Sequence, residues 1–528
     1  MYRIAPVLCL LAGLIGGCRP PETGPQRPAG ALPRSEPEAQ GMSSAAIEAF
    51  VDALEAERLK PQSAVELHSL MIVRHGRVVA EGWWTPFEAE RSHMMFSMSK
   101  SFTSTAVGFA VAEGLFSLDD PVVSFFPDAL PATVSDGLAA MRVRHLITMS
   151  TGQEADGDMS PATPDWVASF LATPVVHPPG SRFRYNTSAT FMLSAIVQKT
   201  SGQDLVAFLT PRLFEPLHIE GATWDASPLG IRAGGVGLKV KTEDMAKLGL
   251  LYLQGGEWEG RRLLPAEWVA AATSPQIETA EVYADTPEER AVDDWAQGYG
   301  YQFWPSTHGA FRGDGAFGQY SLVLPEQDAV VAITGASLDM QRVLDIIWEQ
   351  LLPAFHDAPL PATPGSAANL HARLDALTLF PEAVTPTPAP LANGRTSTFR
   401  LDANPMQATT LTIAIDPSEA RFALQDSTGE HTVRAGFGAW IEQPNTMPLS
   451  PPRSIPILST DAPTVTAAAV WSSDATLAWH WRYPEGPYFD RVETRFAGDS
   501  IYVSFSNNLV RGAGDRRPAL KGVRTDAP

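Results

Sequence analysis

The stretch Met95-Phe96-Ser97-Met98-Ser99-Lys100-Ser101-Phe102 constrains this chain more than any other, because a serine and a lysine three residues apart on one helix must share a face. Val107, Ala110 and Val111 recur at helical spacing behind it, and Gly114 supplies a stop signal, so the spacing predicts a helix over residues 98–113. Ser97 then sits at the helix N-terminus, where developing negative charge is favoured, with the Lys100 amine in reach of its hydroxyl. That pairing is a candidate nucleophile with its base.

Chemistry adds a requirement. A serine hydroxyl is a poor nucleophile at neutral pH, and a lysine accepts its proton only if burial or nearby cations depress the amine's pKa. Met94, Met95, Phe96, Met98 and Phe102 provide apolar surroundings that would do so. A Ser-x-x-Lys spacing alone also fits a capping serine beside a solvated lysine, so the rest of the chain must decide.

A net charge of −20 and the absence of an evident basic patch argue against nucleic acid as a partner. Residues 1–18 combine Arg3, an apolar run from Val7 to Ile15 and the ending Leu14-Ile15-Gly16-Gly17-Cys18, which reads as a bacterial lipoprotein signal peptide with Cys18 as the lipidation site. Cys9 would leave with the leader and Cys18 would carry lipid, so no disulfide is expected despite an exported location facing the periplasm or cell exterior. Residues 19–38, rich in Pro, Gly and Arg, read as a flexible tether.

Beyond the tether, Ile47, Phe50, Val51 and Leu54 form the apolar stripe of a helix, and Leu67 to Arg74 and Arg77 to Gly82 form a hairpin turning at His75-Gly76. Helical patterns recur near Val143–Ser150, up to Val197, over Thr242–Leu253, from Pro265 to about Ala272, and over Leu338–Leu352. Strands of an antiparallel sheet are expected at Tyr299–Trp304, His308–Gly315, Gln319–Leu324 and Ala329–Thr334. The loop acids Glu154, Asp156 and Asp158 lack the further ligand spacing of a cation site and read as solvated; neither a metal nor a cofactor is implied. Residues 355–395 have a Pro/Ala-rich linker composition, and residues 396–528 alternate apolar and polar in short runs, an all-β pattern. Within that pattern Trp479, Trp481 and Tyr483 share a strand face, expected to line a core or cavity.

The order of these pieces resembles the serine β-lactamase and penicillin-recognising hydrolase family, closest to its 6-aminohexanoate-dimer hydrolase and esterase-like branch. Ser97-Met98-Ser99-Lys100 matches the first motif, Val143 to Gly152 resembles a characteristic family stretch, Tyr185 falls where the family's tyrosine follows Phe-x, and Ala233-Gly234-Gly235 and Gly315-Ala316-Phe317-Gly318-Gln319 look closest to that branch. The resemblance implies an α/β (α+β) serine hydrolase domain over residues 39–354, with a central antiparallel sheet and a helical subdomain, followed by a smaller β-barrel or sandwich. It further implies Ser97, Lys100 and Tyr185 as catalytic residues and the N–H groups of Ser97 and Ala316 as an oxyanion hole. Asn186, Thr187, Gly313, Asp314 and Gly315 are then expected to contact a small-molecule or short-oligomer ester or amide. Two departures matter: Thr187 stands where the family has asparagine, and Gly313-Asp314-Gly315 replaces Lys-Thr-Gly, removing the cation that faces a substrate carboxylate, although Arg312 is near enough in sequence to restore some positive charge. The alternatives are a β-lactamase or DD-carboxypeptidase, and a non-catalytic binding lipoprotein on the same fold.

The leader generates a direct test. Cys18→Ala is expected to release the protein from membranes, and metabolic palmitate is expected to label the wild type but not the variant; a wild type that never takes up label contradicts the lipidation site.

Overall fold

The structure, a computed structural model, describes residues 30–381, 395–447, 463–508 and 517–525. Cys18, the leader, most of the tether and residues 382–394 lie outside them.

The hairpin forms as its sequence requires. Strands β1 (Leu67–Arg74) and β2 (Arg77–Trp83) meet at His75 and Gly76, whose φ values of 50° and 70° give the left-handed two-residue turn that suits strand twist. They join β3 (Trp304–Pro305), β4 (Phe311–Gly315), β5 (Gln319–Leu324) and β6 (Ala329–Gly335) in an antiparallel sheet ordered β2-β1-β6-β5-β4-β3. Every residue of β1 and β6 is buried, and period-two alternation divides them: Leu70, Ile72, Val331 and Ile333 face one apolar core, while Met71, Val73, Val330 and Ala332 face the other. A sheet buried on both faces must be covered on both.

Helix α1 (Ser44–Arg58) covers the first face with the expected Ile47, Phe50, Val51 and Leu54 stripe. On the second face lie α2 (Ser99–Ala112), α3 (Thr187–Ser201) and α4 (Thr242–Leu253). Helix α2 is buried nearly all round, although it carries five Ser and Thr side chains between residues 99 and 105. Ser101 Oγ donates to the Gln302 carbonyl (2.9 Å), Thr103 Oγ1 to the Gly234 carbonyl (2.8 Å) and Thr105 Oγ1 to the Ser101 carbonyl (2.8 Å). Small hydrogen-bonded side chains let neighbouring backbone approach closely from several directions.

Two expectations are corrected. Of the expected 299–304 strand only Trp304 pairs with the sheet, continuing into Pro305, because the Gly300 amide closes a turn on the Phe303 carbonyl and Gln302 takes φ 62°. The segment read as linker is structured over much of its length: α5 (Met340–Ile346) leads through a wider turn to Leu351, and α6 (Ser366–Asp375) then packs Leu370 and Leu374 onto the α1 face, with Leu377 beside them. Composition misled there, since its few leucines recur at helical spacing among many Pro and Ala.

Past this helix the chain forms β7 (Arg395–Leu401), β8 (Thr410–Ile415), β9 (Glu419–Gln425), β10 (Glu430–Gly436), β11 (Ile441–Pro444), β12 (Thr464–Ser473), β13 (Thr476–Arg482), β14 (Phe489–Ala497), β15 (Ser500–Asn507) and β16 (Leu520–Arg524). The C-terminal unit is a closed nine-strand β-barrel, sealed where Gly436 of β10 lies parallel to Ala468 of β12, with β11 flanking the seam. Trp479 and Trp481 pack edge-on against Phe422 at 5.6 and 5.3 Å, so these rings fill core. Among the described residues no helix is long and apolar enough to cross a membrane.

Leu374→Ala is expected to lower the stability of the protein by about 2–4 kcal/mol, the range for deleting a buried leucine side chain. Denaturant unfolding monitored by tryptophan fluorescence measures it, and a neutral variant would show that α6 is peripheral.

Candidate active site

Ser97 lies in a 3₁₀ turn, Phe96–Met98, that runs directly into α2, and Lys100 falls in that helix's first turn. The expected reach is present: Lys100 Nζ is 3.2 Å from Ser97 Oγ. It also donates to the Gly235 carbonyl at 2.8 Å and lies 3.4 Å from Thr187 Oγ1, so three oxygens surround an amine that is 1% exposed. Burial lowers its pKa from 10.5 to about 7, against the opposing pull of Asp156 and Asp314. Gly235 is required here, since a Cβ would lie 2.9 Å from Thr187 Cγ2 and 3.3 Å from the amine itself.

Tyr185 arrives from the opposite side. The Pro178-Pro179-Gly180 loop delivers it to the start of α3, where its hydroxyl hydrogen-bonds Ser97 and its ring centroid lies 4.8 Å from Lys100 Nζ. Burial pushes its pKa well above the ordinary 10, so the phenol holds its proton at neutral pH. Asp156, read as a solvated loop acid, instead braces this corner, accepting from the Thr187 N–H and from Arg184 Nη1, both at 2.8 Å. Glu154 engages His177, and Asp158 engages Ser160 and Thr163.

Ala316 occupies the turn between β4 and β5. Gln319 Nε2 donates to the Ala316 carbonyl (3.1 Å) and to the Gly335 carbonyl (2.8 Å), which fixes the plane of that turn. Strand β4 runs so close to the nucleophile segment that a Cβ on Gly315 would sit 2.2 Å from the Met95 carbonyl oxygen. Ser97, Tyr185, Asp314 and Ala316 line a common cavity of about 400 Å³. Tyr283, Trp295, Trp304, Leu338, Met340 and Gln341 complete its wall, and the sequence reading named none of these six in the site. The only signal of Tyr283, Trp295 and Trp304 was aromatic content, which cannot distinguish a cavity wall from core, and Leu338, Met340 and Gln341 carried none.

Two of the expected substrate contacts, Asn186 and Gly313, are placed otherwise, as is the positive charge expected of Arg312. Asn186 is fully buried as the cap of α3: its Oδ1 accepts from the Ala189 N–H (2.9 Å) and Ser188 Oγ (2.6 Å), and its Nδ2 donates to Gln153 (3.2 Å). Gly313 backs onto α2, facing Ser101 and Met98. Arg312 supplies no free positive charge, because its guanidinium is wholly buried, paired with Asp314 (2.8 Å), donating to Ser306 Oγ (2.5 Å) and the Asp294 carbonyl (3.0 Å), and stacked on Trp295. Asp314 remains on the cavity wall, and burial raises its pKa despite that partner.

A half-buried serine and tyrosine meet a fully buried lysine beside an aromatic-walled cavity on a sheet flanked by helices, an arrangement that fits a serine hydrolase. The β-lactamase family model matches residues 51–349, more than half of the chain, and the protein belongs to that family. It is 25% identical over 322 residues to the 6-aminohexanoate-dimer hydrolase of Paenarthrobacter ureafaciens, covering 53% of this chain and 79% of that protein. It is 26% identical over 192 residues to the D-aminopeptidase of Brucella anthropi, covering 34% and 36% respectively. Among solved structures, the hydrolase EstCE1, described as having promiscuous acyltransferase activity, matches with a TM-score of 0.47 and 16% identity over 58% of this chain and 99% of that one. An octameric penicillin-binding protein homologue from Pyrococcus abyssi matches with a TM-score of 0.46 and 17% identity over 91% and 100%.

Lys100 imposes a stability cost with a defined pH signature. Below about pH 7 the native state buries an ammonium, and moving its pKa from 10.5 to about 7 corresponds to a cost on the order of 5 kcal/mol. Between those two values unfolding takes up a proton, so native stability rises with pH and the cost fades. Lys100→Met is therefore expected to melt higher than wild type at pH 6, with the gap closing towards pH 10; a pH-independent gap would mean that the buried amine is not the cause.

Proposed function

We propose that the protein hydrolyses uncharged esters or short amides through an acyl-enzyme on Ser97. The observation that carries this reading is the Lys100 amine, held 3.2 Å from the Ser97 hydroxyl with a pKa lowered to about 7. Ser97 Oγ attacks the substrate carbonyl as Lys100 takes its proton. Tyr185, protonated and hydrogen-bonded to Ser97, passes a proton to the leaving oxygen or nitrogen as that bond breaks and is reprotonated from the Lys100 ammonium. Water then attacks the ester of Ser97 with the same groups acting in reverse, releasing the acid and restoring the serine. The oxyanion formed in each half-reaction is held by the N–H groups of Ser97 and Ala316, the second oriented by the Gln319 clamp on its turn.

Substrate class follows from the cavity wall. Tyr185, Tyr283, Trp295 and Trp304 offer apolar faces, while Asp314 is the one acid and no lysine or arginine lines the wall. Among the described residues no cation on the wall is free to pair with an anionic substrate, since Arg312 is already taken by Asp314, which disfavours β-lactams and peptidoglycan C-termini. The lipoprotein-like sequence ending at Cys18 supports a lipid anchor that would hold this activity at a membrane surface.

A fluorophosphonate probe is expected to label Ser97, and labelling should disappear in Ser97→Ala. Hydrolysis of p-nitrophenyl butyrate is expected to rise with pH through about 7, as the amine loses its proton, and to fall by about 10²–10⁴ in Lys100→Ala or Tyr185→Phe. Nitrocefin should turn over poorly; efficient nitrocefin cleavage overturns the substrate argument, and a folded protein that neither labels nor hydrolyses overturns the enzyme reading.

A further inference from the structure

The residues that flank the two oxyanion donors are both phenylalanines in a conformation that L-residues avoid. Phe96, immediately before Ser97, has φ 48°, and Phe317, immediately after Ala316, has φ 69°. A bulky side chain there is strained and persists only when its surroundings over-determine it. Part of that determination is mutual, since the two rings meet edge to face at 5.0 Å. The rest comes from the other unit.

The turn joining barrel strands β13 and β14, Tyr483-Pro484-Glu485-Gly486-Pro487-Tyr488, lands on the segment just before the nucleophile. It is closed on itself by the Tyr483 N–H to the Tyr488 carbonyl (3.1 Å) and the Gly486 N–H to the Tyr483 carbonyl (3.0 Å), and its two prolines stiffen it. The Tyr488 ring, 5% exposed, lies 6.3 Å from the Phe96 ring, and neither is among the residues that line the substrate cavity. The Glu485 carbonyl accepts the Met94 N–H (2.9 Å), while its carboxylate pairs with Lys239, the residue opposite Met94 in a short ribbon (2.9 Å). At the turn's base Arg482 makes a two-pronged contact with Glu66 (2.8 and 2.9 Å), which continues through His68 and His93 to the Met94 carbonyl in contacts of 3.3, 3.0 and 3.0 Å. The barrel turn thus holds the Met94 N–H directly, is linked to its carbonyl through the Arg482–Glu66–His68–His93 chain, and meets Phe96 by its ring.

We propose that this turn is a positioning element of the hydrolase site, in which Tyr488 holds Phe96 in its left-handed conformation so that the Ser97 N–H converges with the Ala316 N–H on the oxyanion. The ψ angle of Phe96 sets the plane of the peptide that carries the Ser97 N–H, so freeing that residue would swing the donor away while leaving Lys100 and the cavity wall in place. Aromatic contact, and not the Tyr488 hydroxyl, does the work. This proposal rests on the reading of Ser97 as the nucleophile.

The test uses the full-length chain with Tyr488→Ala, Tyr488→Leu and Tyr488→Phe, assayed on p-nitrophenyl butyrate with active sites counted by fluorophosphonate titration to its endpoint. Losing one oxyanion donor costs about 10²–10³ in rate, and a misaimed one is expected to cost about tenfold to hundredfold. Tyr488→Ala and Tyr488→Leu should therefore lower kcat and the fluorophosphonate rate constant by that factor, with KM changed less than about threefold and the pH profile still turning near 7. Tyr488→Phe should restore wild-type kcat. The leucine variant keeps most of the buried volume, so a folding failure of the alanine variant leaves the comparison intact. Wild-type kcat per titrated site in the leucine variant, or equal loss in the phenylalanine variant, overturns the proposal. If the wild type itself neither labels nor hydrolyses, it is the nucleophile reading that fails.

Discussion

An amine kept out of water sets the terms for this fold. Lys100 is acceptable in the interior only because the Gly235 carbonyl, Thr187 and Ser97 surround it, and each comes from a different part of the chain. Bringing them together requires that α2 be buried on every side, which in turn requires its Ser and Thr side chains to find carbonyl partners on the segments that press against it. The sheet, covered on both faces, supplies the rigid wall against which β4 can approach the Met95 carbonyl so closely that only glycine fits at residue 315. Packing, polar satisfaction and the lowered basicity of one lysine are a single constraint seen from three sides.

Local signals were enough for what depends on local physics. The hairpin at His75-Gly76, the α1 stripe, the α4 span and the β5 and β6 strands follow from periodicity and turn chemistry, and the structure places them as read. The reach of Lys100 to Ser97 was implicit in a three-residue spacing. What could not be read depends on long-range placement. The partners of Asn186 lie on its own helix and on Gln153, so a motif position that resembled a substrate contact is a buried helix cap. Arg312 looked available in sequence and is consumed by Asp314, Ser306 and Trp295, three neighbours that only the folded sheet assembles. Helix α6 was hidden by composition, because its burial depends on Leu370 and Leu374 meeting a face of α1 some three hundred residues earlier.

The two units share more than a covalent connection. Arg482 and Glu485 of the barrel pair with Glu66 and Lys239 of the hydrolase unit, and side chains of both units belong to one continuous apolar core. Arg482 is nearly buried, so its pairing with Glu66 is shielded from salt in a way that a surface ion pair is not.

The barrel's closure carries its own asymmetry. Neighbouring strands such as β13 and β14 are zipped by seven successive register pairs, whereas β10 and β12 meet at Gly436 and Ala468 alone among the described residues. A cylinder built this way has a designated place to come undone. Thermal breathing would open it lengthwise at that seam while the remaining ladders stay paired, and the exposed backbone of β10 and β12 would exchange amide hydrogens long before the rest of the wall. The turn that grips Met94 and Phe96 springs from β13 and β14; β13 is held to β12 on the edge away from the seam and to β14 beyond, so the barrel can loosen at its join without parting the ladders that carry the turn.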